Sequence, residues 1–429
     1  MNIHIAAGRV IDPASGFDAT ADVVIVDGLV RAIGRPDQID IPRDAQRIGA
    51  DGLIVAPGLV DMHVHLREPG YEYKETIAGG SRAAAAGGVT SMAAMPNTRP
   101  VVDDTSIVGY ILQQAQRAGL ARVYPIGAIT QGLQGEQITE MGLLQQAGCV
   151  AFSDDGRAVM NSAVMRRALD YSRAFGALII QHAEDSHLSG HGCMHEGVIS
   201  SRLGLPGIPA VAEESLVERD IRLVEITGGR YHVAHISTSG AVEAVAWAQQ
   251  KGLPVSCEVA PHHFALTDAA VAHYDTNAKM SPPLRSESHR QSILMALSKG
   301  IITVIATDHA PHEPDSKEVE FCRASNGVVG LETLLPMALE LIRDGVLDWR
   351  RCLATITCNP ARLLGIQAGQ LAEGQPADLV LFDAEEKWHV DAAKLHGTSR
   401  NTCFHGRHVQ GRVKMTFLSG RAVHNDETD

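Results

Sequence analysis

The sequence predicts an α/β protein: a (β/α)8 barrel of the TIM type, with a small β domain formed by both chain ends. Three observations predict it. Between residues 54 and 310, eight short β-branched runs alternate with longer amphipathic stretches. Both ends of the chain instead carry short alternating strands separated by turn residues. A doubly wound sheet would place a glycine-rich phosphate loop after its first strand, and none is present.

In chain order, the opening strands are IHIAAGRVID, ADVVIVDG and LVRAIG, and residues 370 to 424 resume the style with ADLVLFD and GRVKMTFLSGRAV. Neither piece alone has enough apolar surface for a stable core. Residues 1–53 plus 368–429 are therefore expected to pair into one composite β domain, and 54–367 to form the barrel. The barrel runs are IVAPGLVDMHVH from Ile54, GVTSMAAM from Gly88, ARVYPIGAI from Ala121, CVAFSD from Cys149, ALIIQHA from Ala177, YHVAHIS from Tyr231, PVSCEVA from Pro254 and ITVIATDHA from Ile302. In the first, proline and glycine mark the entry and apolar residues fill the middle, as in a strand buried on both faces. Segments such as TSIVGYILQQAQRAG from Thr105 and EESLVERDIRLVEITGG from Glu213 carry apolar residues at helical spacing, and several end in the glycine expected past a helix.

The whole-chain balance narrows the function. At 429 residues, one large domain with a smaller satellite is the natural division. A formal charge of −13, spread along the chain, argues against nucleic acid or an anionic membrane as partner. The N-terminus lacks the pattern of a signal peptide, and no apolar run is long enough to span a membrane. Seven cysteines (149, 193, 257, 322, 352, 358 and 403) form no CxxC pair, which fits reduced thiols in a cytoplasmic protein.

In barrels of this kind the active site lies at the C-terminal ends of the strands. The first strand ends in His63 and His65, the fourth in Asp154 and Asp155, the fifth in His182, the sixth in His235 and the eighth in Asp308. An isolated HxH reads more readily as core histidines bonded to backbone. Five strand ends delivering His or Asp to one rim point instead to a metal site. Such ligands without cysteine suit Zn²⁺, with Mn²⁺, Co²⁺ or Fe²⁺ as substitutes in vitro. Six candidate ligands exceed the need of one tetrahedral ion, so two ions bridged by a carboxylate and a hydroxide are expected, and with them hydrolysis. Alternation lets only one of Asp154 and Asp155 face the site. Asp308, in ATDHAPH, is assigned both metal ligation and general acid–base work. His187, His191 and His195 fall four apart, but among glycines where a loop is expected. His262 and His263 are read as solvated or supporting histidines.

Taken together, DMHVHLREPG, MPNT from Met95, VAFSDDG from Val150, QHAED from Gln181, AHIST from Ala234, NAKMSPPLR from Asn277 and ATDHAPH from Ala306 resemble the dihydroorotases of the amidohydrolase superfamily. The bacterial type I enzymes are the closer match, and the resemblance runs nearly end to end. It implies ligation of one zinc ion by His63, His65 and Asp308 and of a second by His182 and His235. Many cyclic amidases bridge their ions with a carboxylated lysine on the fourth strand, where this chain has no lysine; in type I dihydroorotases an aspartate takes that place, and Asp155 matches it. The resemblance further implies that His65, Arg67, Asn97 and His312 meet the substrate, with Arg67, Asn97 and His312 on its carboxylate. Asn277 and the backbone at Asn326 and Gly327 would contact the ring, although ASNG departs from the family pattern there. The stretch from Pro311 to Gly327 is read as a lid. The implied activity is reversible cyclisation of N-carbamoyl-L-aspartate to (S)-dihydroorotate, the third step of pyrimidine synthesis. The implied partners are a second copy of the chain and aspartate transcarbamoylase. Another cyclic amidase, of allantoinase or hydantoinase type, and a non-catalytic partner of aspartate transcarbamoylase are the alternatives.

Overall fold

Gly58 divides the first apolar run between two sheets. In the computed structural model, which describes residues 2–426, Ile54–Pro57 joins a sheet built from the chain ends, while Leu59–Val64 opens the barrel. A Cβ at Gly58 would lie 2.2 Å from the Thr90 hydroxyl oxygen, so only glycine lets the chain cross there. The sequence run reads as one strand because both halves are fully buried, and hydrophobicity carries no trace of the change of sheet. Residues 1 and 427–429 of the expected composite domain lie outside the described residues.

The chain-end sheet has the order Arg421–Asn425, His408–Leu418, Leu379–His389, Ile54–Pro57, Ile3–Asp12, Phe17–Val26, Leu29–Gly34, with Gln46–Gly49 paired in parallel to Ile3–Asp12. Its own core includes Ile3, Ile5, Val23, Ile25, Val55, Leu379, Leu381 and Phe417.

The barrel strands are β1 (Leu59–Val64), β2 (Val89–Ala94), β3 (Arg122–Gly127), β4 (Ala151–Ser153), β5 (Leu178–Gln181), β6 (Arg230–Val233), β7 (Val255–Val259) and β8 (Val304–Ile305). All pair in parallel and in sequence order. Between them run helices such as Thr105–Ala118, Ser162–Ser172 and Ser239–Gln250, whose first turns are capped by the side chains of Asp104, Asn161 and Thr238. Met62, Ala93, Ile126, Ala151, Ile180 and Val304 form one cluster with Leu364. Side chains drawn from strands all round the ring can meet only inside it. A larger cluster joins the strands to the helices outside.

β8 is short, so the seam with β1 closes beyond its end. Val64 bridges to His309, the His65 N–H donates to the His309 carbonyl at 2.8 Å, and Asp61 accepts from the Thr307 backbone N–H and hydroxyl. The two strands that deliver His63, His65 and Asp308 are thereby locked in register. No helix among the described residues is long and apolar enough to cross a membrane. All seven cysteines are free thiols, with the Cys193 and Cys322 sulfurs 3.0 Å apart.

Candidate active site

The ends of β1, β4, β5, β6 and β8 surround a cavity of about 210 Å³. At its floor Asp155 stands at the centre of four histidines. Its Oδ1 lies 3.4 Å from His63 Nε2, 3.7 Å from His182 Nδ1 and 3.6 Å from His235 Nε2, and its Oδ2 lies 3.4 Å from His65 Nε2. Asp308 Oδ1 lies 3.1 Å from His65 Nε2 and 3.5 Å from His63 Nε2. Two groups of ligand-type atoms, His63–His65–Asp155 and Asp155–His182–His235, thus share one carboxylate.

Some of these atoms pair, with His182 Nδ1 3.0 Å from His235 Nε2, but the central ones do not. His63 Nε2 and Asp155 Oδ1 are fully buried and have no hydrogen-bond partner. Buried polar atoms left so are costly unless a further group sits among them. Imidazole nitrogens and carboxylate oxygens with free lone pairs are the donor set of a divalent metal, so the residues present fit one.

Supporting bonds fix which nitrogen each ring presents. A carboxylate can only accept, so His63 Nδ1–H donates to Glu258 Oε1 at 2.6 Å; His65 Nδ1 lies 2.9 Å from the Asn97 amide oxygen, likewise an acceptor. Both rings therefore turn an Nε2 lone pair inward. Glu258 is wholly buried, which would raise its pKa; His63 and His232 outweigh burial and push it down to about 2. Burial likewise opposes charge on Asp155 and Asp308, yet the surrounding imidazoles hold both carboxyls well below the usual range. Asp154 turns the other way and accepts from the backbone N–H groups of Ile129 and Thr130 at 2.8 and 2.9 Å. It anchors the loop after β3.

Backbone conformation helps aim the cluster. Arg67 (φ 60°), His235 (φ 31°) and Asp308 (φ 49°) all lie in the left-handed region. Each costs on the order of 1–3 kcal/mol and persists because its surroundings over-determine it.

At the other end of the cavity the Arg67 Nε donates to the Pro311 carbonyl at 3.1 Å, and Arg67 Nη2 lies 3.2 Å from His312 Nε2. The same Nε2 lies 2.8 Å from the Asn326 carbonyl. Burial lowers the Arg67 pKa, and Asp308 and Asp155 counter it. The segment Pro311–Gly327, expected to act as a lid, is pinned by buried groups. Lys317 Nζ donates to the carbonyls of Ser325 and Gly327 at 2.8 and 3.0 Å, and Lys279 Nζ to those of Cys322 and Ala324 at 2.9 and 2.7 Å. Asn401 donates to Ala310 and Gly327 and accepts from the His312 N–H.

This constellation has close counterparts among known proteins. A family model described as dihydro-orotase-like matches residues 52–241, and one described as amidohydrolase family matches 295–424. A dihydroorotase of Anaeromyxobacter dehalogenans (strain 2CP-1 / ATCC BAA-258) is 53% identical over 427 residues, covering 99% of this chain and 98% of the relative. One of Geobacter sp. (strain M21) is 50% identical over 424 residues, covering 99% of each. The chain belongs to the dihydroorotase family. Among solved structures, an L-hydantoinase (dihydropyrimidinase) from Arthrobacter aurescens has a TM-score of 0.87 at 26% identity, covering 99% of this chain and 96% of that one. A dihydropyrimidinase from Brevibacillus agri NCHU1002 has a TM-score of 0.86 at 24% identity, covering 100% and 96%, and shares the fold. Membership of this amidohydrolase family, with the His and Asp groups above, marks the floor of the cavity as a metal site.

Within the family frame, the structure gathers His65, Arg67, Asn97, Asp155, His182, His235, Asp308, His312, Asn326 and Gly327 on the cavity wall, with His63 beneath. Asn277 is not there. It sits in the turn Thr276–Ala278, its N–H bonded to Asp275, and does not line the cavity. Asn326 and Gly327 line the cavity, but their backbone is largely engaged: the Asn326 carbonyl faces His312, the Gly327 N–H donates to the Lys279 carbonyl, and the Gly327 carbonyl accepts from Lys317 and Asn401. His187 and His191 are exposed and His195 is buried near Arg285, so the three share no face. His262 and His263 are buried, not solvated, and His263 Nε2 meets the Pro282 carbonyl at 3.0 Å. Gly156 and Ser281 also line the cavity, and Glu258, Lys74 and Asn401 support it, all missed from sequence. Glu258 did leave a signal, as a carboxylate inside the apolar run PVSCEVA that burial obliges to find a partner. Asn401, far along the chain, left none.

Proposed function

We propose that the chain interconverts N-carbamoyl-L-aspartate and (S)-dihydroorotate with two zinc ions, in the type I manner. One observation carries this reading: a carboxylate shared by two histidine pairs at one end of a small cavity and a buried arginine lining the other. His63, His65 and Asp308 would hold one ion and His182 and His235 the other, with Asp155 between. When bound, the ions acidify water and polarise the amide carbonyl of the ring.

The chain's own residues do the rest. Arg67, Asn97 and His312 hold the substrate carboxylate, the arginine through parallel N–H bonds that a lysine could not supply. They thereby place the ring amide over the ligand cluster. In ring opening, Asp308 takes a proton on its carboxylate and delivers it to the departing ring nitrogen. In ring closure the same carboxylate removes the proton from the carbamoyl nitrogen as it attacks. The imidazoles that depress the Asp308 carboxyl keep it ready to accept. A homodimer, a complex with aspartate transcarbamoylase and a cytoplasmic location complete the reading, on the strength of the resemblance.

The fold shared with hydantoinases favours one second reading, a different cyclic amidase. β4 and its end carry no lysine, and Arg67 suits an acidic ring; both weigh against it. Rates on dihydroorotate, hydantoin and allantoin decide. Dihydroorotate is expected to turn over fastest, with about two zinc ions bound per chain; turnover of hydantoin or allantoin without dihydroorotate overturns the assignment.

A further inference from the structure

We propose that Lys74 is a positioning residue that sets the tautomer of His312 and so keeps the Arg67 fork free for the substrate carboxylate. The proposal rests on Arg67 holding that carboxylate, as above. His312 is neutral: burial, then Arg67, Lys74 and Lys317, push its pKa down to about 2. A neutral imidazole carries one N–H and one lone pair, and the ring's surroundings decide which nitrogen has which.

At Nε2 the surroundings are evenly divided. Arg67 Nη2, a donor, lies 3.2 Å away, and the Asn326 carbonyl, an acceptor, lies 2.8 Å away. Either tautomer would find a partner there. At Nδ1 the neighbour is Lys74 Nζ, at 3.3 Å. An ammonium has no lone pair, so Nδ1 must accept and the proton must sit on Nε2. In the free enzyme that proton goes to the Asn326 carbonyl, and a bound substrate carboxylate would take it over. Arg67 Nη2 then faces an N–H, makes no bond to the ring, and leaves its hydrogens for an anion in the cavity.

Without Lys74 the balance tips. The proton can move to Nδ1, since no cation then holds that nitrogen as an acceptor, and Glu313 Oε2, 3.7 Å from the Lys74 nitrogen and otherwise unbonded, loses its ammonium partner. Nε2 would then accept from Arg67, and the fork would be spent on the protein. Glu313 and the rings of Tyr71 and Tyr73, 5.9 and 5.7 Å from Nζ, hold the ammonium against Arg67 and against its own burial.

The test compares the zinc-loaded enzyme with Lys74→Met and Lys74→Arg, by ¹⁵N NMR of the His312 ring and by steady-state kinetics on dihydroorotate. The expected spectra place the proton on Nε2 in the wild type and in Lys74→Arg, and on Nδ1 in Lys74→Met. Losing a charge-assisted bond from the fork should raise KM about 10-fold or more in Lys74→Met. The kcat should stay within about twofold, since Lys74 touches no reacting atom. An unchanged tautomer in Lys74→Met overturns the proposal, as does a fall in kcat at constant KM. A wild-type proton on Nδ1 would overturn it without any variant, even if Lys74→Met did not fold. If Arg67→Gln left KM unchanged while the tautomers behaved as expected, the reading of Arg67 would fail and the role of Lys74 in setting the ring would stand.

Discussion

The two ends of the cavity are built differently. At the floor, His63 lies in a barrel strand and His182 and His235 come just after theirs, each within a residue or two of a strand end. At the far end, Arg67, His312 and Asn326 stand on loops, and their positions depend on Lys279, Lys317 and Asn401, which are remote in sequence. The floor is thus fixed by backbone pairing shared with the whole barrel. The far end is fixed by a few buried side chains holding main-chain carbonyls. Damage at the floor should cost chemistry, whereas damage at the far end should cost recognition.

Asp308→Ala gives the largest expected effect. Its kcat should fall by about 10³-fold or more with the fold intact by circular dichroism, as for loss of a general acid–base group; near-normal turnover would remove Asp308 from the chemistry. Exhaustive chelation should likewise abolish activity and zinc refilling should restore it, while full speed in the metal-free protein would end the metal reading.

Glu258→Gln comes next, because it weakens the bond that orients His63. Zinc affinity, read by competition with a coloured chelator, should drop about 10- to 100-fold; an unaltered affinity would show that the ring needs no such support. Arg67→Lys tests the other end. It keeps the charge but loses the fork, so KM should rise about 10-fold with kcat little changed, and a kcat loss as deep as that of Asp308→Ala would erase the division between the two ends.

The smallest effect concerns Lys317, whose pKa burial, and then Lys279, pull from 10.5 down to about 8. An unfolded chain keeps this proton to higher pH than the folded one. Between about 8 and about 10.4 the unfolded state therefore binds more protons, and this lysine's contribution to stability grows as pH rises. Lys317→Met should flatten that portion of the stability profile, measured by denaturant titration; an identical slope in both proteins would mean that Lys317 does not titrate there.

The same contrast explains what the sequence made legible. The floor residues stand at the ends of short apolar runs, a pattern that survives without any tertiary knowledge, and the eight-strand alternation is equally local. Gly58 was opaque, since a strand buried in two successive sheets looks like one longer strand. Asn277 was opaque for a related reason: its neighbourhood carries a family-like motif, but the sequence does not show that its N–H bonds to the Asp275 carboxylate in a tight turn. Lys279 and Lys317 lie in polar stretches where lysine ordinarily faces solvent, and only the packed structure reveals carbonyls gathered about their ammonium groups.

The chain-end sheet has a consequence for biosynthesis. Val55 pairs on one side with Val10 and on the other with Leu381, so the central rung of that sheet waits for a segment made more than 300 residues later. During translation the first strands leave the ribosome with one edge unpaired, and such long-range closure is slow. Shortening the chain before residue 379 would leave the Ile54–Pro57 edge open to other nascent copies, so truncated products should aggregate even where the barrel itself is complete.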